Sequence, residues 1–323
     1  MTLSRLLSAV GGSALEPSAA GIVLGYLADR IFGDPRRGHP VAAFGAASNW
    51  LETRCYADRQ AAGVLYVGAL VGTAAALGAA LERAAAKRPA VNLLITTVAT
   101  WTVLGGRSLG QEAATVAHHL ACGELLSARE QVRHLVGRET AELSTEEVAR
   151  ATVESVAENA SDAVVAPLLW GALAGLPGLL GYRAINTLDA MIGHRSARYL
   201  RFGWAAARLD DLVNWVPARL SALAAAAWAP LVGGTAKSAI RVVRRDAGQH
   251  PSPNAGVVEA AFAGALDVRL GGRNLYQGSV EDRGILGDGG TVQITDITRA
   301  RRLASAVSLT GLIMAVLLRG WRS

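Results

Sequence analysis

Cysteine, aromatic side chains and charge are all scarce in this sequence. Its only cysteines, Cys55 and Cys122, lack CxxC spacing, and two cysteines are too few for a disulfide framework. Together with six scattered histidines they make no zinc-ligand pattern either. Charged residues form 18% of the chain and aromatic residues 5%, against 51% hydrophobic residues and a mean hydropathy of +0.28. This balance departs from the composition of soluble globular proteins.

The fingerprints of the commonest nucleotide-binding and hydrolase folds are also missing. The chain has no Walker A motif, no GxGxxG after a strand-like run and no GxSxG elbow. Despite a formal net charge of +6, no basic run with interleaved aromatic residues is present, so we expect no nucleic-acid partner. Residues 1–16 contain a single arginine and no apolar core of signal-peptide length, so no cleavable signal is expected.

Long apolar runs are the main feature of the sequence. A shorter run, residues 17–28, is interpreted as a partly inserted helix. The alternative, a set of buried helices in a large soluble protein, would demand too large a core for this chain. We therefore predict an all-α polytopic integral membrane protein with about four to six membrane-embedded helices and polar helical loops. The five long runs without charged residues are 61–81, 89–106, 163–182, 220–236 and 303–318.

The polar stretches between these runs are interpreted as connections within a single integral-membrane domain that covers residues 1–323. Residues 108–158 are predicted to form a soluble helical insertion. Residues 237–303 are predicted to form a polar loop region, with a strand-like stretch at 291–295 (TVQIT).

Three acidic residues, Glu154, Glu158 and Asp162, recur at four-residue intervals. On a helix they share one face, where like charges repel unless a cation lies among them. A solvated acidic face is the common outcome of such spacing. Here Asp162 abuts an apolar run, and Asn159 and Ser161 add further oxygen atoms. We therefore predict that the three carboxylates bind Mg²⁺.

A second group of polar residues borders the later apolar runs. Asn186 and Asp189 share a helix face because they lie three residues apart. The sequence DDxxNxxPAR follows at residues 210–219, and its last residue, Arg219, can bind a phosphate or carboxylate bidentately. The alternative for Arg219 is an interfacial arginine whose charged head reaches the water layer.

Two further segments expose backbone groups. The sequence HPSPNAG at residues 250–256 is predicted to be a rigid loop that runs into a helix carrying Glu259. The loop backbone and the positive N-terminal end of that helix can hold an anion. The sequence LGGRNLYQG at residues 270–278 is predicted to be a glycine-rich turn.

Eight motifs in order resemble one family, the cobalamin-biosynthesis CbiB/CobD proteins, which are adenosylcobinamide-phosphate synthases. The resemblance covers nearly the whole chain, and motifs in order are far more specific than any one motif. The motifs are GDPxxxHPV (33–41), ExxxENxSD (154–162), AP (166–167), NTLDxM (186–191), LDDxxNxxPARL (209–220), HPSPNAG (250–256), EAAxAGAL (259–266) and LGGxNxYxG (270–278).

The resemblance implies a reaction and its partners. Such enzymes join the f-propionate carboxylate of adenosylcobyric acid to the amine of aminopropanol or of aminopropanol O-phosphate. The family's use of ATP fits activation of the carboxylate to an acyl phosphate or adenylate before the amine attacks. ATP is therefore the expected co-substrate and Mg²⁺ the expected metal, and no tightly bound cofactor is expected. The resemblance also implies a protein of the cytoplasmic membrane, with a homo-oligomer as one possible assembly.

This chemistry suggests roles for the motif residues. Metal-ligand candidates are Glu154, Glu158, Asp162 and Asp211, and catalytic candidates are Asp210, Asp211 and His250, with Asp210 or His250 as the base that takes the amine proton. Arg183, Arg195 and Arg219 are expected to bind the substrate phosphate. The remaining candidates for substrate binding are Asn159, Asn186, Asp189, Asn214, Ser252, Asn254, Glu259 and Asn274.

The order of the apolar runs poses a topological problem. If all five runs span the membrane, residues 107–160 and 183–212 face opposite compartments, although both carry motifs that should meet around one substrate. Residues 163–182 contain two prolines and several glycines, which permit a broken or re-entrant element. We predict such an element there, with both loops on the cytoplasmic side.

Two other classes of protein remain possible from the sequence. A transporter or carrier of a corrinoid or a cation would also contain broken helices and intramembrane carboxylates, but no repeated half is visible. A structural membrane protein would account for the apolar runs but not for the ordered polar clusters.

Overall fold

The computed structural model describes residues 16–35, 38–276 and 279–321. Within these residues the protein is almost entirely helical, with a single two-stranded antiparallel sheet. The first helices are α1 (Pro17–Phe32), α2 (Pro40–Cys55), α3 (Gln60–Ala85), α4 (Pro89–Val103), α5 (Gly106–Ala121), α6 (Leu125–Val132), α7 (Thr145–Ala160) and α8 (Ala166–Leu188). They are followed by α9 (Tyr199–Phe202), α10 (Trp204–Val213), α11 (Trp215–Trp228), α12 (Ala236–Asp246), α13 (Ala255–Leu266), β1 (Leu270–Tyr276), β2 (Ser279–Leu286) and α14 (Ile294–Gly320).

Five helical stretches in the described part of the chain are long and apolar enough to cross a membrane. They contain the five long apolar runs, and the predicted class, an all-α polytopic membrane protein, is confirmed. Large apolar side chains remain exposed on these helices, among them Leu65 on α3 and Leu94 on α4. Such surfaces are suited to lipid rather than to water.

The contacts of α1 and α14 define two ends of the helical bundle. The Arg30 guanidinium lies 3.5 Å from the Ser305 hydroxyl, whereas at the opposite ends of the same helices Arg319 lies 3.2 Å from the Glu16 carboxylate. The two helices are therefore antiparallel. We call the end with Arg30 and Ser305 the near end, and the end with Arg319 the far end.

Helix α8 is broken where the sequence predicts a broken element. Gly175 has a φ of 63°, and the chain reverses direction there. The Tyr182 hydroxyl consequently lies 2.9 Å from the Asp162 carbonyl oxygen, although a straight helix would place residues 20 apart ~30 Å from each other. At the tip, the freed Leu176 N–H donates to the Glu82 carboxylate at 3.2 Å.

This reversal brings the polar segments on both sides of α8 to one end of the bundle. Gly63, at the start of α3, packs against Phe202, and Gly78 packs against Leu176 near the tip. Helix α3 therefore runs from the near end to the far end beside the returning half of α8. Polar segments within residues 107–160 and 183–212 therefore meet at one end of the bundle, and their location on one side of the membrane stays a prediction.

The polar region 237–303 differs from the prediction in its secondary structure. The stretch 291–295 is not a strand, because α14 begins at Ile294 with a capping box formed by Gln293 and Asp296. The strands are β1 and β2 instead, and they pair with a register shift between Gly271 and Arg273. The segment interpreted as a glycine-rich turn is thus mostly strand β1, and its residues 277–278 lie outside the described residues.

Site-directed cysteine labelling in sealed membrane vesicles tests this topology. With Cys55 and Cys122 replaced by Ser, we expect Glu142→Cys and Ala197→Cys to react with an impermeant maleimide from the same side of the membrane. Lys87→Cys, in the turn between α3 and α4, should react only from the opposite side. All three positions are exposed. Labelling of positions 142 and 197 from opposite sides would contradict the re-entrant path of α8.

Candidate functional site

Four carboxylates gather at the near end of the bundle: Glu158, Asp162, Asp189 and Asp210, which we call the carboxylate cluster. Asp162 interacts electrostatically with the other three, and Asp189 with Asp210 and Glu158. Asp162 and Asp189 each lie in a π-helical turn, Ser161–Val165 and Asp189–Gly193. Such wide turns re-aim side chains and occur frequently at functional sites.

A small hydrogen-bonded frame connects the elements that carry the cluster. The Tyr182 hydroxyl lies 2.9 Å from both the Asp162 carbonyl oxygen and the Asn214 Oδ1 atom. On the other half of α8, the Trp170 indole N–H donates to the Val213 carbonyl at 3.0 Å. Both halves of the broken helix are therefore fastened to the junction of α10 and α11, which fixes Asp210 opposite Asp162.

The electrostatics of Asp210 reflect its crowded surroundings. Burial raises the pKa of Asp210 to about 6, the amides of Asn214 and Asn186 partly oppose this shift, and the charges of Asp211 and Glu158 add to it. Asp210 Oδ1 is buried and has no hydrogen-bond partner among the described residues, and the same holds for Asn214 Nδ2. Unpaired buried polar atoms of this kind are costly, and they mark positions where a ligand atom would complete the site.

The loop between α1 and α2 also reaches this site. Arg183 interacts electrostatically with both Asp34 and Asp162, and its Nη1 donates to Asn186 Oδ1 at 3.4 Å. The buried Asp34 Oδ1 atom lacks a partner among the described residues. Arg183 and Asn186 thus lie at the site as predicted. Asp34 was not predicted as a site residue, although it lies in one of the motifs that carry the family resemblance, GDPxxxHPV at residues 33–41.

Glu154 lies apart from the cluster and is neutralised by two arginines. Its Oε2 accepts from Arg138 at 2.7 Å and its Oε1 accepts from Arg150 at 3.1 Å, while the Gly271 N–H donates to Oε1 at 2.8 Å. Both arginines also donate to Asn274 Oδ1 on β1. Glu154 and Asn274 therefore anchor the β-hairpin to α7, which is a different role from the predicted metal and substrate contacts.

Arg219 connects two of the predicted motifs. It donates to Asn254 Oδ1 at 2.9 Å and to the Pro253 carbonyl at 3.2 Å, and its guanidinium lies 4.4 Å from the ring centre of Trp215. Asn254 in turn donates to the Asp211 carbonyl at 2.7 Å. Arg219 is thus held by the HPSPNAG loop rather than left to reach the water layer alone.

His250 and Glu259 form a buried pair behind that loop. His250 Nε2 lies 3.7 Å from Glu259 Oε1, and His250 Nδ1 accepts from the Ser252 N–H at 3.0 Å. Burial and the charge of Arg283 lower the pKa of His250 to about 4. Burial and the charges of Glu154 and Glu158 raise the pKa of Glu259. A neutral His250 whose Nδ1 is already occupied is a poor base, so Asp210 is the better of the two candidates.

The remaining predicted residues lie around these groups. Ser252 caps α13, because its hydroxyl accepts from the N–H groups of Asn254 and Ala255. Asn159 donates to the Ser155 carbonyl at 3.0 Å, next to Glu158. Arg195 is exposed and interacts electrostatically with Asp211, so these two predicted residues lie near each other.

The described residues contain no group of three His, Cys, Asp or Glu side chains close enough to hold a metal ion. The predicted set of Glu154, Glu158 and Asp162 is therefore not assembled. Glu158 and Asp162 lie instead in the carboxylate cluster with Asp189 and Asp210, and Glu154 does not belong to it.

Comparisons with known proteins identify the family. A family model described as CobD/Cbib protein matches residues 22–304. The chain belongs to the CobD/CbiB family. It is 50% identical over 306 residues to the cobalamin biosynthesis protein CobD of Mycobacterium tuberculosis strain H37Rv, covering 95% of this chain and 97% of the relative. The protein of the same name from Pelobacter propionicus is 40% identical over 308 residues (94% and 95%), and that from Chromobacterium violaceum is 44% identical over 293 residues (89% and 92%). No solved structure shows a significant match.

Sequence reasoning missed several residues of this CobD/CbiB site. Arg138 carries no motif of its own and meets Glu154 only through the fold, whereas Arg150 lies four residues before Glu154 on α7, a spacing from which this ion pair could have been predicted. In the sequence, Tyr182 is an ordinary residue at the end of an apolar run. Only the break in α8 places its hydroxyl beside the Asp162 carbonyl oxygen. One signal for Tyr182 was available in the sequence: its polar hydroxyl stands at the end of an apolar run that is predicted to be broken.

Replacement of Glu154 distinguishes its anchoring role from metal binding. Glu154→Gln leaves two buried guanidinium groups without a counter-charge, and we expect it to destabilise the protein by about 3–5 kcal/mol. The matched variant Glu158→Gln removes one of several like charges and should cost less than about 1 kcal/mol. Thermal unfolding of the purified proteins in one detergent provides the measurement. Equal losses for the two variants would contradict the anchoring role.

Proposed function

We propose that this protein acts in cobalamin biosynthesis and forms the amide bond between the f-propionate carboxylate of adenosylcobyric acid and the amine of aminopropanol or its O-phosphate, using ATP and Mg²⁺. The product is adenosylcobinamide or its phosphate. The observation that carries the proposal is the carboxylate cluster, which contains a buried, unpartnered Asp210 oxygen and lies beside Arg183. The names of the relatives support the same pathway.

The chemistry of amide formation requires such a cluster. A carboxylate does not condense with an amine in water, so its oxygen must first take a phosphoryl or adenylyl group from ATP. The amine nitrogen then attacks the carbonyl carbon, the C–N bond forms, and the activated oxygen leaves with its phosphate. Bound Mg²⁺ would offset the negative charge of the transferring phosphate. Carboxylate oxygens such as those of Glu158, Asp162 and Asp189 are the ligands that Mg²⁺ prefers. Since no three of these side chains lie close enough to hold the ion alone, the phosphate oxygens of ATP would supply the other ligands.

Two further roles follow from the electrostatics. Asp210, with a pKa of about 6, is matched to accept the amine proton near neutral pH. Arg183, which interacts with Asp162, and Arg195, which interacts with Asp211, supply positive charge for a phosphate or a carboxylate. We place the near end, which carries this site, on the cytoplasmic side, where ATP is available.

Amide formation by purified protein in nanodiscs tests the proposal. Adenosylcobyric acid, aminopropanol O-phosphate, Mg²⁺ and ATP are supplied, and the corrinoid product is measured by mass spectrometry. Asp162→Asn and Asp210→Asn should lower the rate at least about 100-fold, the usual size of a lost acid–base group. The matched control Asp58→Asn, at an exposed aspartate that pairs only with Arg201 at 3.7 Å, should retain the wild-type rate.

Growth assays separate this ligase from a transporter or carrier. A cobalamin-dependent strain that lacks the enzyme should be rescued by added cobinamide but not by added cobyric acid. Purified wild-type protein that binds the corrinoid but makes no product would favour the carrier. Equal activity of Asp162→Asn and Asp58→Asn would instead remove the cluster from the active site.

The pH dependence of the reaction tests the role of Asp210. A carboxyl group acts as a base only when it is ionised, so activity should be low at pH 5 and rise through an apparent pKa of about 6. Asp58→Asn should keep this acid limb, and the residual activity of Asp210→Asn should lack it. The measurement is kcat/KM between pH 5 and pH 8.5. An unchanged acid limb in Asp210→Asn would assign the base to another group.

A further inference from the structure

Three arginines from distant parts of the chain line one cavity at the near end. Arg30 ends α1, Arg107 begins α5, and Arg301 lies early in α14. The cavity has a volume of about 170 Å³. Since one water occupies ~30 Å³ in the liquid, this space accommodates a phosphate group with a few water molecules.

The cavity is separate from the carboxylate cluster. Its wall on α7 is formed by Val156 and Ala160. These residues lie about half a turn away from Glu158 on a helix with ~3.6 residues per turn, so they occupy the opposite face of α7. The cavity and the cluster are thus two sites on either side of one helix.

The three guanidinium groups lack carboxylate partners. None of them forms a salt bridge with an Asp or Glu among the described residues. Arg30 contacts the Ser305 hydroxyl at 3.5 Å, Arg107 donates to the Arg30 carbonyl at 2.8 Å, and the buried Nε of Arg301 has no partner among the described residues. Like charges that converge without a counter-ion repel each other, and an anion in the cavity removes this cost.

One carboxyl group, that of Asp29, lies near the cavity. Asp29 is 0% exposed, lies close to the backbone of Gly106 and Arg107 at the N-terminal end of α5 and interacts electrostatically with Arg30, but neither of its oxygen atoms has a hydrogen-bond partner among the described residues. Three positive charges against one negative charge leave the cavity with a positive balance.

The position of the arginines indicates where the anion comes from. The charge-free apolar run of α14 begins at residue 303, directly after Arg301 and Arg302, and that of α1 ends directly before Asp29 and Arg30. Basic side chains at such boundaries lie at the level of the lipid headgroups. Arginine binds phosphate through two parallel hydrogen bonds, which makes it the preferred residue for phosphate groups.

We propose that the cavity lined by Arg30, Arg107 and Arg301 binds a phosphate group at the membrane surface, carried by the headgroup of an anionic phospholipid or by a small soluble phosphate. The site does not depend on the function proposed above, because it lies on the other face of α7.

Lipid binding by delipidated protein tests the site. The wild type and the variants Arg301→Gln, Arg30→Gln and Arg302→Gln are titrated with phosphatidylglycerol or with phosphatidylcholine, and bound lipid is counted by native mass spectrometry. Arg302 is the matched control, because it neighbours Arg301 but is exposed and does not line the cavity. Inorganic phosphate and glycerol 3-phosphate are added in separate arms. Thermal unfolding without lipid verifies that each variant is folded.

We expect phosphatidylglycerol to bind the wild type more tightly than phosphatidylcholine does. Loss of Arg301 or Arg30 should weaken that binding about fivefold each, the size expected for one basic side chain at an anionic surface, with no change for Arg302→Gln. If inorganic phosphate or glycerol 3-phosphate displaces the lipid, or binds alone with the same dependence on Arg301, the site takes a soluble phosphate. Identical binding by Arg301→Gln and Arg302→Gln in every arm overturns the proposal.

Discussion

The reversal of α8 at Gly175 is the constraint on which the rest of the structure depends. A backbone that changes direction inside an apolar layer frees N–H and C=O groups that must find partners within the protein. The Glu82 carboxylate is one such partner, because it accepts a hydrogen bond from the Leu176 N–H. A side chain at Gly175 would collide with the same carboxylate. Without this break, α8 would carry Asp189 to the far end, away from Asp162, and neither the carboxylate cluster nor its Tyr182 frame would exist.

The acidic face of α7 shows how the same residue type serves two purposes. Glu154 is compensated by Arg138 and Arg150, and an ion pair of this kind is costly to break but contributes little binding chemistry. One turn later, Glu158 interacts electrostatically with Asp162, Asp189 and Asp210 as well as with Arg283 and Arg138. The difference lies in the partners that the fold brings to each turn. A carboxylate left without a full set of partners is the one available to a cation.

The sequence carried enough information for the fold class and for the broken helix, because both depend on local composition: charge-free runs in one case, prolines and glycines within such a run in the other. The motifs also gave Asp162, Asn186 and Asp210 as candidates for one site, and the structure brings these three residues together at the near end. The four-residue spacing alone does not distinguish Glu154 from Glu158. Arg150 lies one turn before Glu154, but the buried partner Arg138 comes from the segment between α6 and α7 and meets Glu154 only in the fold. The stretch 291–295 was misread for a related reason, because β-branched residues there precede a helix whose capping box begins at Gln293.

The two faces of α7 differ in charge, and this difference bears on how the carboxylate cluster is tolerated. Four carboxyl groups crowd one side, and three arginines line the cavity on the other. Across a helix ~10 Å in diameter, opposite unit charges attract by roughly 2 kcal/mol at an effective dielectric constant of ~20. The arginines therefore offset part of the repulsion within the cluster without touching it. Asp210, with a pKa of about 6, can ionise near neutral pH while its buried Oδ1 atom has no partner among the described residues, which leaves that atom free for a ligand.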